Sequence, residues 1–177
     1  MKHYNACPDY SFRRITDITV QDLRDMGAEA VAIDLDNTTV KDSSYSLPES
    51  TKKWLDNLKE NGISVVIISN TTFIRAWYLS KKMGSLPFFS LAAKPHTRAL
   101  RKASEKLGVN LENIAMIGDR LFTDVMAANK AGAISVRVEP MEKEKRFKAH
   151  FERARKREEE YMRAHGVKKP KKETCAV

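Results

Sequence analysis

Five short runs of β-branched and aliphatic residues recur along the chain and predict buried strands. They lie at residues 30–33, 63–68, 88–91, 114–117 and 134–138, and the third of them is the weakest. Runs of this length with apolar residues on successive positions are typical of strands that are covered on both faces. The pattern therefore predicts a sheet buried between other elements.

Between these runs the apolar residues recur at helical spacing. The pattern predicts helices over residues 49–60, 95–107 and 121–131, a shorter one over 21–26, and one from Phe73 to just before Gly84. Asn61-Gly62 is a helix stop because glycine readily adopts the left-handed conformation that ends helices. Trp54, Trp77 and Tyr78 fall on the helical spacing, so we expect their side chains to lie in the core.

The alternation of strands and helices predicts the fold class. Parallel strands require crossover connections, which are usually helices, so the order favours a parallel sheet with helices on both faces. We expect an α/β, Rossmann-like three-layer sandwich with a central sheet of about five strands. The expected domain covers residues 1–140, of which 1–28 form a lead-in segment.

Composition excludes several classes of protein. The chain of 177 residues is 42% hydrophobic and 31% charged, and its longest aliphatic stretch, 63–68, is interrupted by Ser64. Crossing a bilayer needs roughly 20 apolar residues. The N-terminal residues lack the apolar segment of a secretory signal, and the two cysteines, Cys7 and Cys175, form neither a disulfide framework nor a zinc site. A cytoplasmic location is the simplest interpretation.

The net charge of +9 is concentrated near the C-terminus. Residues 141–177 contain 13 Lys and Arg residues against 7 Glu. Phe147, Phe151, Tyr161 and Met162 form a thin apolar stripe on a predicted helix that ends by Gly166. We expect 141–177 to be a basic tail, helical at first and disordered over 168–172. This tail is most often a device for solubility, although its phenylalanines would allow it to dock onto the domain.

Polar side chains cluster at the ends of the predicted strands or at the start of the helices that follow. In chain order they are Asp34 and Asp36, Ser69 and Asn70, Lys94, and Asp119 and Asp124. The carboxyl ends of parallel strands meet at one edge of a sheet, which is where ligands bind in open α/β folds. We therefore expect these side chains to form one site.

Four carboxylates at one edge repel each other unless a cation neutralises them or one of them holds a proton. A hard cation with oxygen ligands suits such a site, and magnesium fits better than zinc because no His or Cys lies near. The cation and Lys94 would neutralise phosphate oxygens, while the Ser69 hydroxyl and amides near Asn70 would donate to them. One carboxylate is then free to attack phosphorus, and another to move protons.

The motifs carry a family resemblance. Asp34-Leu-Asp-Asn-Thr38, Ser69-Asn70, Ala93-Lys94-Pro95 and Gly118-Asp119-Arg-Leu-Phe-Thr-Asp124, in this order within residues 30–140, resemble the motifs of haloacid dehalogenase-like (HAD) phosphohydrolases. With Arg75 and Arg98 at their spacings, the chain is similar to the YqeG family of subclass IIIA. That family is itself similar to mitochondrial phosphatidylglycerophosphate phosphatases.

The resemblance implies a role for each motif residue. Asp34 would be the nucleophile that forms an aspartyl phosphate, Asp36 the general acid and base, and Lys94 the residue that orients Asp34. The implied phosphate ligands are Ser69, Asn70 and Lys94, and the implied magnesium ligands are Asp34, Asp36 through its carbonyl, Asp119 and Asp124, the last directly or through water. The candidates for a further anionic group of the substrate are Arg75, Arg98 and Arg120.

Some of these positions have plainer interpretations. Arg75 and Arg98 more often belong to a solvated helix face than to a binding site. Two residues depart from the family pattern, because an aliphatic residue is expected in place of Thr39 and commonly Gln in place of Arg120. Neither position is that of the implied nucleophile, but both could alter what approaches it.

The spacing between motifs leaves little room for a cap domain. About one helix and one strand fit between consecutive motifs, because connections are typically 2 to 6 residues long. The resemblance is therefore to the capless type, whose open site suits a bulky substrate such as a phospholipid, or one closed over by a neighbouring subunit in a homo-oligomer. Residues 141–172 would then hold the enzyme at an anionic membrane surface as a peripheral protein.

Other functions remain open from the sequence. A nucleic-acid-binding or ribosome-associated protein could keep this fold and bind through the basic tail. Acids at all four motifs argue against lost catalysis. A phosphoaspartate receiver domain would need its lysine after the last strand, which this order of motifs does not provide.

Overall fold

A computed structural model of the chain describes residues 5–142 and 148–167. Over these residues, six strands form one sheet, and all of their pairings are parallel. The strands are β1 (Tyr10–Phe12), β2 (Ala30–Ile33), β3 (Ser64–Ile68), β4 (Phe88–Phe89), β5 (Ile114–Gly118) and β6 (Ile134–Val138). Their spatial order is β1-β6-β5-β2-β3-β4. The predicted α/β class with a central parallel sheet is confirmed.

The helices cover both faces of the sheet. They are α1 (Val20–Asp25), α2 (Glu49–Glu60), α3 (Phe73–Lys82), α4 (Arg98–Leu107), α5 (Met126–Ala131) and α6 (Lys148–Ala164). Alternate residues of each strand point to opposite faces. Val31 and Ile33 of β2 therefore pack in one cluster with α1, α2 and α3, while Ala30 and Ala32 pack in the other with α4 and α5. The sheet is therefore the middle one of three layers, with a layer of helices on each face.

The strand that was not predicted is β1, within the lead-in segment. It pairs with β6, with Tyr10 opposite Val136. A polar contact holds it, because the Asp9 carboxylate accepts hydrogen bonds of 2.8 Å from the Ser135 amide and hydroxyl. Three residues are too few to show a strand pattern, and this pairing depends on a contact 126 residues away in sequence.

The prediction that α3 buries its aromatic residues was wrong. Trp77 and Tyr78 are 47% and 38% exposed, and the inward face carries Arg75, Ala76 and Leu79 instead. Both faces of α3 carry apolar residues, so spacing alone does not decide which one meets the sheet. Trp54 on α2 is buried as predicted, and its indole Nε1 donates to Ile18 O at 2.7 Å.

Helix α6 returns to the body of the protein. Met162 packs with Ala6, Leu121 and Val125, and the Tyr161 hydroxyl accepts a hydrogen bond of 3.0 Å from the Ala6 amide. The predicted apolar stripe thus docks α6 onto the domain, while Phe147 and residues 168–172 lie outside the described residues. Across the described part of the chain, every helix is too short or too polar to cross a membrane.

The register of the central strands sets the position of the site. Ile33 of β2 lies opposite Ile117 of β5, and the Asp34 amide donates to Ile117 O at 3.0 Å. The chain leaves β2 toward β3 on one side and later returns to β5 on the other. Such a switch point opens a crevice at the carboxyl edge of the sheet, where α/β proteins bind ligands.

Candidate active site

Three buried carboxylates meet at this crevice. Asp34 follows β2, Asp119 follows β5, and Asp124 lies on a single π-helical turn at Leu121–Val125 that precedes α5. One oxygen from each of the three lies within 4.8 Å of the others. Such a donor set consists of hard oxygen ligands and suits a divalent cation that prefers oxygen.

Gly118 makes room for this cluster. A Cβ atom at this position would lie only 2.3 Å from Cγ of Asp124, so a side chain would displace that carboxylate. The π-helical turn also fixes Asp124 locally, because its Oδ2 accepts a hydrogen bond of 3.1 Å from the Arg120 amide. The fourth motif therefore needs glycine at this position, because any side chain would clash with Asp124.

Lys94 neutralises two of the acids. Its Nζ lies 2.6 Å from Oδ1 of Asp34 and 2.6 Å from Oδ1 of Asp124, and it donates to Ile68 O at 2.9 Å. Burial lowers the pKa of Lys94, but the charges of Asp124 and Asp34 outweigh burial and raise this pKa above its ordinary value. The lysine is therefore charged at neutral pH.

Asn70 holds the lysine loop in place. Its Oδ1 accepts a hydrogen bond of 2.8 Å from the Lys94 amide, and its Nδ2 donates to Lys94 O at 3.3 Å. The neighbouring Ser69 is buried at the cavity wall, where its hydroxyl accepts a hydrogen bond of 3.3 Å from the Thr71 amide. The second and third motifs thus form one unit at the ends of β3 and β4.

Asp36 is held apart from the three buried acids. Its Oδ2 accepts a hydrogen bond of 2.6 Å from Nη1 of Arg75, and its Oδ1 accepts one of 2.8 Å from the Ser43 amide. Burial raises the pKa of Asp36, and Arg75 opposes this rise without cancelling it. Asn37 turns the chain at φ 58°, a left-handed conformation that asparagine tolerates better than most residues.

The three arginines named from the sequence lie in different places. Arg75 is buried on the inner face of α3, and its Nη2 donates to Ser44 O at 2.8 Å, so the interpretation as a solvated helix face was wrong. Arg120 lines the cavity. Arg98 is exposed and is not among the residues that line it. Thr39, which departs from the family pattern, donates its hydroxyl to Asp34 O at 3.0 Å.

Two functional candidates on α6 were not predicted. Nη1 of Arg155 donates to Asp119 O at 3.0 Å, and Nη2 is hydrogen-bonded to Oδ2 of the same residue. Glu158 accepts from Nη1 of Arg155 at 3.1 Å and, through its other oxygen, from the Arg120 side chain and the Leu121 amide. Phe151, Arg155, Glu158 and Met162 share one helix face, and this spacing was the available signal.

Burial dominates the electrostatics of Asp119. Loss of solvation raises the pKa of Asp119 to about 7, the Arg155 charge lowers it in part, and the charges of Asp124 and Asp34 raise it further. Burial likewise raises the pKa of Asp124, although the Lys94 charge opposes it. The three carboxylates therefore have too little positive charge around them, and a bound cation would stabilise their ionised forms.

The acids open into a cavity of about 570 Å³ at the carboxyl edge of the sheet. Only a loop separates Asn37 from α2, and only α3 and β4 separate Asn70 from Lys94, in the described chain. The cavity is lined by Asp34, Asp36, Asn37, Asp42, Ser43, Ser69, Asn70, Thr71, Lys94, Asp119, Arg120, Thr123, Phe151 and Arg155. Six of the seven motif residues named from the sequence line it, and the seventh, Asp124, lies behind Lys94.

The raised pKa of Asp119 predicts how the metal-free protein responds to pH. The folded state holds a proton on this carboxyl up to a pH of about 7, whereas the unfolded state releases it near the ordinary aspartate pKa of 3.8. The folded state binds more protons in that window, so the free energy of unfolding should fall as pH rises, by up to about 4 kcal/mol. We expect Asp119→Asn to flatten this slope in denaturant melts in EDTA from pH 5 to pH 8. An unchanged slope in the variant would contradict the assignment.

Comparison with known proteins identifies the class. The family profile of haloacid dehalogenase-like hydrolases matches residues 12–132, and the chain belongs to that family. The predicted resemblance to HAD-superfamily phosphatases is confirmed at this level.

Two individual relatives show which members of this family the chain resembles. The chain is 32% identical over 149 residues to "Probable phosphatase YqeG" of Bacillus subtilis, covering 82% of this chain and 84% of that protein. It is 40% identical over 96 residues to phosphoglycolate phosphatase of Neisseria gonorrhoeae, covering 50% of this chain and 40% of that enzyme. The predicted similarity to YqeG is confirmed by the first of these matches.

A solved structure shares the fold. It is 3-deoxy-D-manno-octulosonate 8-phosphate phosphatase from Moraxella catarrhalis, in complex with a magnesium ion, a phosphate ion and its sugar. The TM-score is 0.50 at 16% identity, and the match covers 69% of this chain and 84% of that one. At this identity the likeness supports the fold alone.

Proposed function

We propose that this protein is a magnesium-dependent phosphomonoester hydrolase that acts through an aspartyl-phosphate intermediate on Asp34. The observation that carries the proposal is the placement of Asp34, at a strand end in an open cavity with one oxygen 2.6 Å from the Lys94 ammonium. A carboxylate held in this way presents an oxygen to a substrate entering from the cavity. The neighbouring acids and cations meet the remaining needs of phosphoryl transfer.

The first step transfers the phosphoryl group to the protein. Asp34 attacks phosphorus, the bond from phosphorus to the ester oxygen breaks, and Asp36 gives its proton to the leaving alkoxide. The raised pKa of Asp36 favours the protonated form that this step needs. Arg75 and the Ser43 amide keep the Asp36 side chain at the cavity wall.

The second step returns Asp34 to its free form. Asp36, now a carboxylate, accepts a proton from water, and the water oxygen attacks phosphorus as the bond to Asp34 breaks. Inorganic phosphate leaves, and both carboxyl groups regain their starting states. Lys94 offsets charge on Asp34 throughout, while Ser69 and the amides of the Asn70 turn donate to phosphoryl oxygens.

The residues present fit magnesium. Asp34, Asp119 and Asp124 offer oxygens close enough to share one ion, and the Asp36 carbonyl would complete the set. When bound, the ion supplies positive charge that stabilises the phosphoryl oxygens. Arg155 would hold Asp119 through Oδ2, and Oδ1, which accepts a long hydrogen bond of 3.4 Å from the Thr38 hydroxyl, would be the oxygen offered to the ion.

The open cavity supports a substrate that carries its own bulk. The cavity is lined by Phe151 of α6 and by Arg120, which follows β5, so an ester with a second anionic group would find Arg120 near. Through the YqeG resemblance, phosphatidylglycerophosphate is the specific substrate we propose. We also propose that residues 1–140 form the phosphatase domain that carries the motif residues, and that the basic segment 141–177 adds Phe151 and Arg155 to its cavity.

The test of this proposal is a hydrolysis assay in two stages. Cleavage of p-nitrophenyl phosphate should depend on magnesium and stop in EDTA. A panel of phosphatidylglycerophosphate, sugar phosphates and nucleotides should then show the highest kcat/KM for the lipid. Folded protein that cleaves no monoester with magnesium would overturn the activity, and a preference for a small soluble ester would overturn only the substrate.

The contact between Arg155 and Asp119 predicts a second effect. Arg155→Ala should weaken magnesium binding or activity by about 10- to 100-fold, because residues that orient metal ligands typically have effects of this size. The measurement is a magnesium titration of the rate, with ion binding followed independently by calorimetry. Lys156→Ala on the exposed face of α6 is the matched control. Equal magnesium affinity in the two variants would show that Arg155 does not position Asp119.

A further inference from the structure

Helix α3 presents an exposed apolar surface. We define the α3 surface as six exposed large apolar side chains on α3 and its flanking loops: Tyr45, Phe73, Ile74, Trp77, Tyr78 and Leu91. Among the described residues only two other large apolar side chains, Tyr10 and Met141, are comparably exposed. The six therefore form a cluster and are not a sample of scattered positions.

Local contacts make the α3 surface continuous. Phe73, Ile74, Trp77 and Tyr78 occupy adjacent positions on one side of a helix. The ring centroids of Tyr45 and Tyr78 are 5.4 Å apart, and the Leu91 amide donates to Thr71 O at 3.0 Å beside the start of α3. Ile74 is 73% exposed and Phe73 60%, so folding gains little from burying them. Exposed apolar patches of this kind mark interaction sites.

The segment that carries the surface is cationic. Residues 69–104, which carry five of the six side chains, contain none of the chain's 23 Asp and Glu residues. They contain seven Lys and Arg residues, of which Arg75 and Lys94 are buried and paired with carboxylates of the site. Lys81 and Lys82, at the end of α3, are exposed. Nζ of Lys82 lies 4.9 Å from the centroid of the Tyr78 ring and donates to Tyr45 O at 3.2 Å. An aromatic face with lysines at its rim results.

We infer that the α3 surface docks onto an anionic phospholipid bilayer. Tryptophan and tyrosine favour the interface between lipid and water, where an apolar helix face is buried and lysines meet anionic headgroups. A second copy of this chain is a poorer occupant, because a twofold contact through this face would bring Lys81 and Lys82 of both copies into one interface, and residues 69–104 offer no Asp or Glu to pair with them. Charge complementarity therefore selects the bilayer.

The docked orientation brings the cavity close to the membrane. Thr71 lines the cavity and lies two residues before Phe73, the first residue of α3, so the α3 surface begins beside the site. The docking itself does not require hydrolysis and goes beyond the proposed function. It differs from attachment through residues 141–172, because it buries Trp77, and those residues contain no tryptophan.

Two tryptophans make the docking measurable. Trp54 is buried and hydrogen-bonded, whereas Trp77 lies within the α3 surface. With the full chain and vesicles of equal parts phosphatidylglycerol and phosphatidylcholine, we expect a blue shift of the emission and quenching by lipids brominated on their acyl chains. Vesicles of phosphatidylcholine alone should give a much weaker response. Trp77→Phe should bind but lose the signal.

Surface variants separate this docking from other attachment. The variant with Phe73→Ser, Ile74→Ser and Tyr78→Ser, and the variant with Lys81→Glu and Lys82→Glu, should each weaken sedimentation with anionic vesicles at least about tenfold. Lys53→Glu with Lys59→Glu, on the exposed face of α2, is the matched control and should change it little. Hydrolysis of a soluble aryl phosphate should be unchanged in all three, so loss of docking is distinguishable from loss of the site.

Three results would overturn the inference. One is sedimentation with unchanged Trp77 emission, which would place the contact in another segment such as the basic tail. Another is a dimer in analytical ultracentrifugation that the serine variant dissociates, which would assign the surface to a second copy. The third is failure of the wild-type chain to bind anionic vesicles at low salt.

Discussion

Asp34→Asn should abolish magnesium-dependent hydrolysis of an aryl phosphate, with a loss of at least about 10³-fold in kcat, because an amide cannot replace the attacking carboxylate. The variant should fold, since Asn has nearly the same shape and its Oδ1 can still accept from Lys94. Loss of one negative charge also relieves repulsion from Asp124. Rates under single-turnover conditions and a denaturant melt test the two halves of this prediction.

The control for this variant is Asp56→Asn. Asp56 lies on the exposed face of α2 and pairs only at the surface, with Lys52. Its change removes the same charge far from the cavity and should leave the rate unaltered. Turnover by Asp34→Asn above a few per cent of wild type, after contaminating phosphatase has been removed, is incompatible with the nucleophile assigned here.

Lys94→Met should lower the free energy of unfolding by about 3 to 5 kcal/mol in EDTA at pH 8, because it leaves two buried carboxylates without their cation. Both Asp34 and Asp124 lie 2.6 Å from the Lys94 Nζ. The loss should shrink on acidification, since protonated carboxyls no longer need the cation, and saturating magnesium should recover part of it. The rate should fall as well.

Chemical denaturation measures this effect in the presence and absence of magnesium. Lys102→Met on the exposed side of α4 is the matched control and should change stability by less than about 0.5 kcal/mol. A Lys94→Met protein as stable in EDTA as the control would mean that the carboxylates of the folded state are not ionised together, and the account of the site would fail.

The balance of charge explains why a cation and a phosphoryl group suit the same site. Among the described residues, the three acids that would share the ion, Asp34, Asp119 and Asp124, face two cations, Lys94 and Arg155. Ionised together, they leave one negative charge. A divalent ion reverses the sign, and a dianionic phosphoryl group then enters a positive site. This change of sign is the electrostatic reason why the site needs the divalent ion in order to bind the phosphoryl group.

Much of the fold could be predicted from the local spacing of apolar and polar residues. The strands β2 and β6 and the helix α2 were predicted with the bounds that the structure gives them. Each is a run whose apolar residues all face the core, so its pattern is complete within itself. The sequence also predicted that the motif residues lie close together. Neighbouring parallel strands end at the same edge of the sheet, and each motif lies at or near the end of such a strand.

What was missed depends on partners distant in sequence. The strand β1 is three residues long and is held by a pairing with Ser135. The outward face of α3 was misassigned because Arg75, a charged residue, takes an inward position to reach Asp36. Arg155 and Glu158 looked like members of a solvated charge run until their partners, Asp119 and Arg120, were in place. A sequence pattern shows which residues share a face of a helix or strand, but it does not show which partner that face contacts.

The most direct test of the central claim is chemical trapping of the intermediate. The enzyme is mixed with excess phosphate ester and magnesium, quenched in acid during turnover, and treated with borohydride, which reduces an acyl phosphate to an alcohol. Peptide mass spectrometry should then find homoserine in place of Asp34, only in samples that received substrate. Turnover with Asp34 unmodified, or with the modification at a different carboxylate, would contradict the account.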